Sequence, residues 1–241
     1  MRLIGDKPVT ARYIGDKHVI ARYVGEQQIF IDYIKRGLLH QFDGKNNTGE
    51  GVYNPDASVW VDLVTGTQAA LENVSWQDFG VVFSNAASKV FYSGQSVEQY
   101  TIFNTHRVAA FTGLHPRIFG ENPYPTLYLN SSVSYAYAFF AQGRDSSFSP
   151  ATIPVLGNAV QAAMRFGGTG VVDLFYNGIL TASVSAITLY PSPVSTMYIG
   201  CRTANDRALN GSVYEHLVYG RALSDGEIYH NFKVSQQRYL I

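Results

Sequence analysis

Apolar and polar positions alternate from the start of the chain, and they do so in a repeat. Residues 4–33 read IGDKPVTARY, IGDKHVIARY and VGEQQIFIDY, one ten-residue unit written three times without gaps. Each unit opens on an apolar residue followed by glycine and an acid: Gly5-Asp6, Gly15-Asp16 and Gly25-Glu26. Glycine accepts a positive φ without steric cost, so a Gly-acid pair between apolar runs predicts a two-residue hairpin turn. After each turn the pattern has period two. Val9, Ala11 and Tyr13 share one face, as do Val19, Ala21 and Tyr23, and then Ile29, Ile31 and Tyr33. Period two means strand, and the segment reads as a β-meander. Both of its faces carry apolar residues, and so thin a unit needs a partner surface. That partner is either copies of itself around an axis, as in a fibre shaft, or the domain that follows. On the first reading Val9, Tyr13, Val19, Tyr23, Ile29 and Tyr33 are assembly residues.

The pattern changes at residues 37–51, where Gly37–Phe42 reads as a strand and Asp43–Gly49 as turn chemistry. Short strands then recur. They are expected over 58–63, 80–83, 89–92, 100–104, 107–112, 117–119, 126–129 and 135–140, and again over 159–166, 171–176, 179–184, 195–200 and 212–219. Gly, Asn, Pro and Ser fill the gaps, which is the spacing of a β-sandwich. Asn177-Gly178 between apolar runs predicts a type I′ hairpin. Gly167-Gly168-Thr169-Gly170 lacks a lysine and reads as a tight turn. One helix is predicted, about ten residues long. It starts at Ser224, with Glu227 completing a capping box and Ile228 and Phe232 on its buried face. Arg238–Ile241 would add a final strand. The expected division is an assembly segment over 1–36 and a sandwich domain over 37–241.

Composition narrows the function. Eighteen basic residues balance eighteen acidic ones, which argues against a nucleic-acid partner or an anionic membrane surface. Charged residues make up 15%, below the usual quarter, as suits an all-β chain that buries extra surface in an oligomer. The single cysteine, Cys201, excludes an intrachain disulfide and a cysteine-rich zinc site and reads as a small buried strand residue. No run of about eighteen apolar residues and no signal-peptide pattern is seen. The expectation is synthesis in the cytoplasm, without membrane insertion.

The C-terminal text carries a resemblance. Met197-Tyr198-Ile199-Gly200-Cys201-Arg202, Asn210-Gly211-Ser212-Val213-Tyr214-Glu215 and Tyr219-Gly220-Arg221-Ala222-Leu223-Ser224-Asp225-Gly226-Glu227-Ile228 resemble the closing signature of laminin-G-like domains of the concanavalin A-like lectin/glucanase superfamily. Cys201, Leu209, Gly220 and Gly226 depart from the usual text. Leu38–Leu63 resembles the opening of the same family, and Asp173–Leu180 its hairpin. The resemblance implies an all-β fold, a jelly-roll β-sandwich over 37–241 with one short C-terminal helix. The "IGDKxVxxxYxG" units are similar in style to appendage proteins of tailed phages of gut Bacteroidales, including the crAss-like phages.

Candidate chemistry is sparse. The glucanases of the superfamily use carboxylates at i, i+2 and i+4 on one strand, and no such run exists here. Serine-hydrolase elbows, zinc-binding histidine pairs and phosphate-cradling loops are also missing from the sequence. The chain therefore reads as a non-enzyme that needs no cofactor. Relatives bind Ca²⁺ at the sandwich rim, and Asp43, Asn46, Asn47 and Thr48 offer oxygens for one, although the same residues build turns. For a glycan the candidates are Tyr124 and Tyr128, beside Pro123 and Pro125, and the loop carrying Asn205, Asp206 and Arg207. Trp60 and Trp76 are expected in or near the core. The reading taken is a virion fibre-like appendage, head or tail, assembled as a homotrimer, bound to other virion proteins and displaying a lectin-like domain to host-surface glycans. The alternatives are a purely structural virion component and a bacterial carbohydrate-binding module.

Overall fold

The computed structural model describes the chain except residues 1–2, 5–6, 9–12, 15–16, 19–20, 25–26, 31, 85–86, 96, 114, 121–125, 142–143, 148–153, 169, 186–195, 203–206 and 240–241. Three hairpins come first: β1 (Leu3–Ile4) with β2 (Lys7–Pro8), β3 (Tyr13–Ile14) with β4 (Lys17–His18), and β5 (Ala21–Val24) with β6 (Gln27–Phe30). Their registers pair Ile4 with Lys7, Ile14 with Lys17 and Val24 with Gln27. Two residues thus separate each pair of paired ends, the Gly-acid dipeptide of each repeat. Among the described residues each hairpin is a two-stranded sheet of its own.

The rest is a sandwich. Its strands are β7 (Leu38–Asp43), β8 (Val59–Val61), β9 (Gln68–Glu72), β10 (Ser75–Gln77), β11 (Gly80–Phe83), β12 (Lys89–Tyr92), β13 (Tyr100–Val108) and β14 (Arg117–Phe119). They continue as β15 (Thr126–Asn130), β16 (Ala136–Ala141), β17 (Arg144–Ser147), β18 (Ala159–Phe166), β19 (Val172–Tyr176), β20 (Ile179–Val184), β21 (Met197–Ile199) and β22 (Gly211–Tyr219). Helix α1 (Asp225–Tyr239) ends the described chain. One sheet runs β10-β11-β22-β13-β18-β19-β20, with β7 also paired to β22; the other runs β17-β16-β15-β14-β21-β12-β9-β8. Every pairing is antiparallel, for example Ile102 with Val218 and Met164.

The first sheet is covered on both faces. Ile102, Met164, Leu174 and Val218 point toward the second sheet and meet Phe42, Trp60, Phe119, Leu127 and Phe139 in the main core. Phe103, Ala163, Phe175 and Leu217 point the other way and pack under α1 through Ile228 and Val234. Strands buried on both sides lose period two, which is why every residue of β22 is buried. Trp60 is fully buried and Trp76, half-buried, stands edge-on to it at 5.3 Å. Cys201 is buried, with Sγ 3.4 Å from the Val90 N–H.

Several expectations meet the structure directly. Asn177 and Gly178 have φ of 49° and 75° at the β19–β20 turn, the double positive φ of a type I′ hairpin. The capping box forms: Glu227 N donates to Ser224 Oγ at 3.3 Å, and Ser224 N donates to the Glu227 carboxylate at 2.9 Å. The helix then runs fifteen residues instead of ten, and it takes up Arg238 and Tyr239, expected in a strand. Both side chains find a buried partner in Asp43, which holds the last turn helical. The strands expected over 100–104 and 107–112 are one, β13, whose register against β22 shifts at Thr105/His106. Strands β9, β10 and β17 lie outside the spans expected from the sequence.

Residues 32–37 form a strap under α1. Tyr33 is 1% exposed, and its hydroxyl donates to Glu215 on β22. The Ile34 carbonyl accepts from the Tyr219 hydroxyl at 2.8 Å, and Ile34 N donates to Asn231 Oδ1 at 3.0 Å. His230 Nε2 donates to the Asp32 carbonyl at 2.8 Å, and Arg221 Nε to that of Arg36 at 2.9 Å. Glu215 also accepts from Ser235 at 2.7 Å and Thr105 at 3.1 Å, and Gln161 Nε2 donates to Ser235 at 2.8 Å. Burial pushes the Glu215 carboxyl up to about 7, against the pull of the Tyr33 and Ser235 hydroxyls.

Candidate functional site

The residues singled out in the sequence are placed as follows. Tyr128, expected at a rim, is a core residue at 1% exposure, with the Arg117 guanidinium 4.7 Å from its ring centroid and the His115 ring edge-on at 5.6 Å. Arg207 is half-buried, and its carbonyl accepts from Arg117 N at 2.9 Å. Tyr124, Asn205 and Asp206 lie outside the described residues.

Asp43 is buried, caps the turn through Lys45 N at 2.9 Å and receives Arg238 and Tyr239. Asn47 is fully buried and exchanges two hydrogen bonds with the Asn54 backbone, at 2.7 and 2.8 Å. Asn46 Oδ1 accepts from Gly51 N at 2.7 Å. These oxygens build their own loop, and among the described residues no three His, Cys, Asp or Glu side chains gather to hold a metal. Of the assembly candidates, Tyr13, Tyr23 and Ile29 lie on β3, β5 and β6, while Val9 and Val19 lie outside the described residues. Tyr33 is spent inside its own chain, because Glu215 and α1 enclose it.

The structure gathers a different set. A cleft of about 630 Å³ opens at one end of the first sheet, where β13, β18, β19 and β22 meet the last turn of α1. Tyr176 and Tyr214 line it from the strands, and Arg238 and Tyr239 from the helix. Lys45 and the β10–β11 turn, Asp78-Phe79, close another side. Aromatic and aliphatic wall alternates there with Lys45, Asp78, Arg107, Asn158, Asn177 and Arg238, so the cleft is more polar than the usual small-ligand pocket.

Phe79 is the unusual member. Gln77 pairs with Gly80, so Asp78 and Phe79 are the two residues of a tight turn, with φ of 50° and 66°. The second position of such a turn ordinarily takes glycine. A bulky residue in the left-handed region costs on the order of 1–3 kcal/mol. Phe79 is 39% exposed as a residue, so burial does not repay that cost in full. It stands edge-on to Tyr53 at 4.9 Å, with Lys45 Nζ 4.9 Å from its centroid. Gly44 makes the placement possible, since a Cβ there would lie 1.8 Å from the Phe79 carbonyl oxygen.

Opposite stand two more rings. Tyr214 and Tyr239 have centroids 5.7 Å apart with a 37° tilt. Lys45 Nζ is 5.9 Å from the Tyr239 centroid, and the Arg107 guanidinium carbon is 5.9 Å from that of Tyr214. Burial pushes both phenols up; Arg107 draws Tyr214 back, and Asp43 and Glu215 add to the rise at Tyr239. Among the described residues Asp78 is the sole carboxylate of the lining. Lys45, Asp78-Phe79, Arg107, Tyr176, Tyr214 and Arg238-Tyr239 come from six separate stretches with no common spacing. The one local signal was Asp78-Phe79-Gly80, an aromatic where a turn expects glycine.

Comparison with known proteins bears on the fold. A family model of the concanavalin A-like lectin/glucanases superfamily matches residues 106–229. Among solved structures, Trypanosoma rangeli sialidase in complex with sialic acid aligns over 86% of this chain, with TM-score 0.64 and 16% identity. The chain spans only 34% of that sialidase. Domain 4 of AbnA, a GH43 extracellular arabinanase from Geobacillus stearothermophilus, in complex with arabinotriose, aligns over 80% of this chain and 96% of its own, with TM-score 0.61 and 16% identity. The HCR/D W1238A mutant aligns over 84% and 52%, with TM-score 0.62 and 10% identity. No curated protein matches the chain.

Proposed function

This chain belongs to the concanavalin A-like lectin/glucanases superfamily, and from that membership we propose that it is a non-enzymatic glycan-binding module whose sugar site is the cleft of Phe79, Tyr214 and Tyr239. The observation that carries the reading is Phe79, held in a costly backbone conformation with its ring exposed at the cleft. Strain of this kind collects at functional sites, and an exposed aromatic face is the surface on which a sugar ring stacks. The single lining carboxylate supports a binder over a hydrolase, because glycoside cleavage ordinarily uses a pair of carboxyl groups. The proposal extends to a fibre-like virion appendage, a homotrimer bound to capsid or tail proteins; its support is the style of the repeats. Several weak sites on one particle act together through avidity.

Phe79→Gly separates binding from folding. Glycine relieves the positive φ, so stability should stay within about 1 kcal/mol of the parent, while binding on a glycan array should fall at least about tenfold. Undiminished binding by this variant would remove the cleft from consideration. Assembly has its own test in light scattering. The full chain should have the mass of a trimer, and a chain starting at Asp32, which keeps Tyr33, that of a monomer. Equal monomeric masses would reduce the repeat to an accessory of the sandwich.

A further inference from the structure

We propose that the cleft selects acidic glycans, sugars bearing a carboxylate or a sulfate, and that Arg107 and Lys45 read the charge. This inference rests on the glycan-binding reading above and adds the class of sugar.

The argument starts from how this chain treats its other cations. Arg165 bonds Asp173 and Asp225, Arg221 bonds Glu227, and Lys35 and Lys89 meet Asp32 and Glu72. At the cleft, Arg238 is likewise matched by Asp43. Lys45 and Arg107 have no carboxylate within ion-pair distance among the described residues, and their side chains lie against rings instead. Among the same residues Lys233 on α1 and Arg36 also lack an ion pair, Lys233 lying against Tyr229 and Phe232, but Lys45 and Arg107 share one cleft. Overall charge is zero, so two uncompensated cations in one cleft are a local feature and not a general surplus.

Their placement suits an anion on a stacked sugar. Lys45 stands near both Phe79 and Tyr239, and Arg107 stands over Tyr214. A pyranose set against the exposed Phe79 therefore has Lys45 beside it, and Arg107, lying over the buried Tyr214, lines the same cleft. Guanidinium offers two parallel N–H donors to a carboxylate or sulfate, and ammonium adds a point charge. A neutral sugar, by contrast, is usually gripped by amides and carboxylates that share its hydroxyl hydrogens. Asp78 is the opposing charge in the lining. It moderates the field without cancelling it, leaving one positive charge in excess once Arg238 and Asp43 are set against each other. Removing it should therefore strengthen an acidic ligand.

The test is calorimetric titration of the full chain with oligogalacturonate, a chondroitin sulfate oligosaccharide and a neutral arabino-oligosaccharide of similar length. At least one acidic probe should bind about tenfold tighter than the neutral one, and its affinity should fall as NaCl rises and screens the charges. The preferred acidic probe tells carboxylate from sulfate. Lys45→Gln, on a half-buried turn, and Arg107→Gln should each weaken that probe about tenfold and several-fold more than they weaken the neutral sugar, while Asp78→Asn should tighten it a few fold. Neutral and acidic sugars bound equally, with no response to these variants, would overturn the charge selection and leave the glycan site standing. Binding of none of the three, or binding that Phe79→Gly does not weaken, overturns both.

Discussion

Between pH 7 and pH 4 the protein is expected to lose about 3 kcal/mol of stability from two fully buried histidines set against one buried glutamate, and His230, which burial also lowers, adds in the direction of loss. His106 and His216 lie in the sandwich interior, fully buried. His106 Nδ1 faces the Asn104 carbonyl at 3.2 Å and must donate, so Nε2 accepts from the Tyr137 hydroxyl at 2.7 Å. His216 Nε2 meets the Tyr92 hydroxyl at 3.2 Å among Phe42 and Phe119. Burial lowers His106 to about 4, and burial together with nearby His40 lowers His216 to about 3. The unfolded chain takes up these protons below pH 6.5 while the folded one does not. Stability is therefore intact above that value and falls as pH falls, by about 3 kcal/mol per histidine at pH 4. Glu215 has the opposite sign. Its folded value is raised to about 7, so its contribution is full below pH 4.5 and is lost as pH rises through 7, offsetting about 3 kcal/mol. Glu227, held near 2 by Arg221, enters only below pH 4.5. Urea unfolding at pH 4 and pH 7 reads the net. In Glu215→Gln the drop should double, and a level profile in that variant would mean that the folded interior accepts the protons.

Tyr33→Ala should cost about 3–5 kcal/mol, as large-to-small changes at buried aromatic positions do. The ring fills the space among Leu217, Ile228 and Val234, and its hydroxyl satisfies Glu215. Tyr33→Phe keeps the packing and leaves that carboxyl short of a donor, for about 1–3 kcal/mol. The two variants should therefore rank in that order in urea. A Tyr33→Ala protein within 1 kcal/mol of the parent would place the strap outside the cooperative unit.

Much of this fold was legible. Strand spacing, the Asn177-Gly178 turn and the Ser224/Glu227 cap are local signals, and each is met where local chemistry placed it. What failed to show in the sequence depends on distant partners. Gln68-Ala-Ala-Leu-Glu72 carries helix-forming residues and became β9 through pairing with β8 and β12. Arg238 and Tyr239 read as strand until Asp43 is seen beside them. Tyr33 is written like Tyr13 and Tyr23, and only the tertiary fold sets it apart. Tyr128 borders a proline-rich loop, yet its register opposite Arg117 puts it under that guanidinium. The cleft had no motif to find, because Lys45, Phe79, Arg107, Tyr214 and Tyr239 converge from five segments.

The strap under α1 also decides how the molecule carries a mechanical load. A tug on the repeats reaches the sandwich through residues 32–37, and it meets first the contacts that hold Tyr33 and Ile34 to β22 and α1. The joint is a plug and not a hinge. The helix that seats the plug also lends Arg238 and Tyr239 to the cleft. The cleft and the strap therefore share one helix, with the Tyr33 ring centroid itself 5.9 Å from the Arg238 guanidinium carbon, and a load on either is felt at α1.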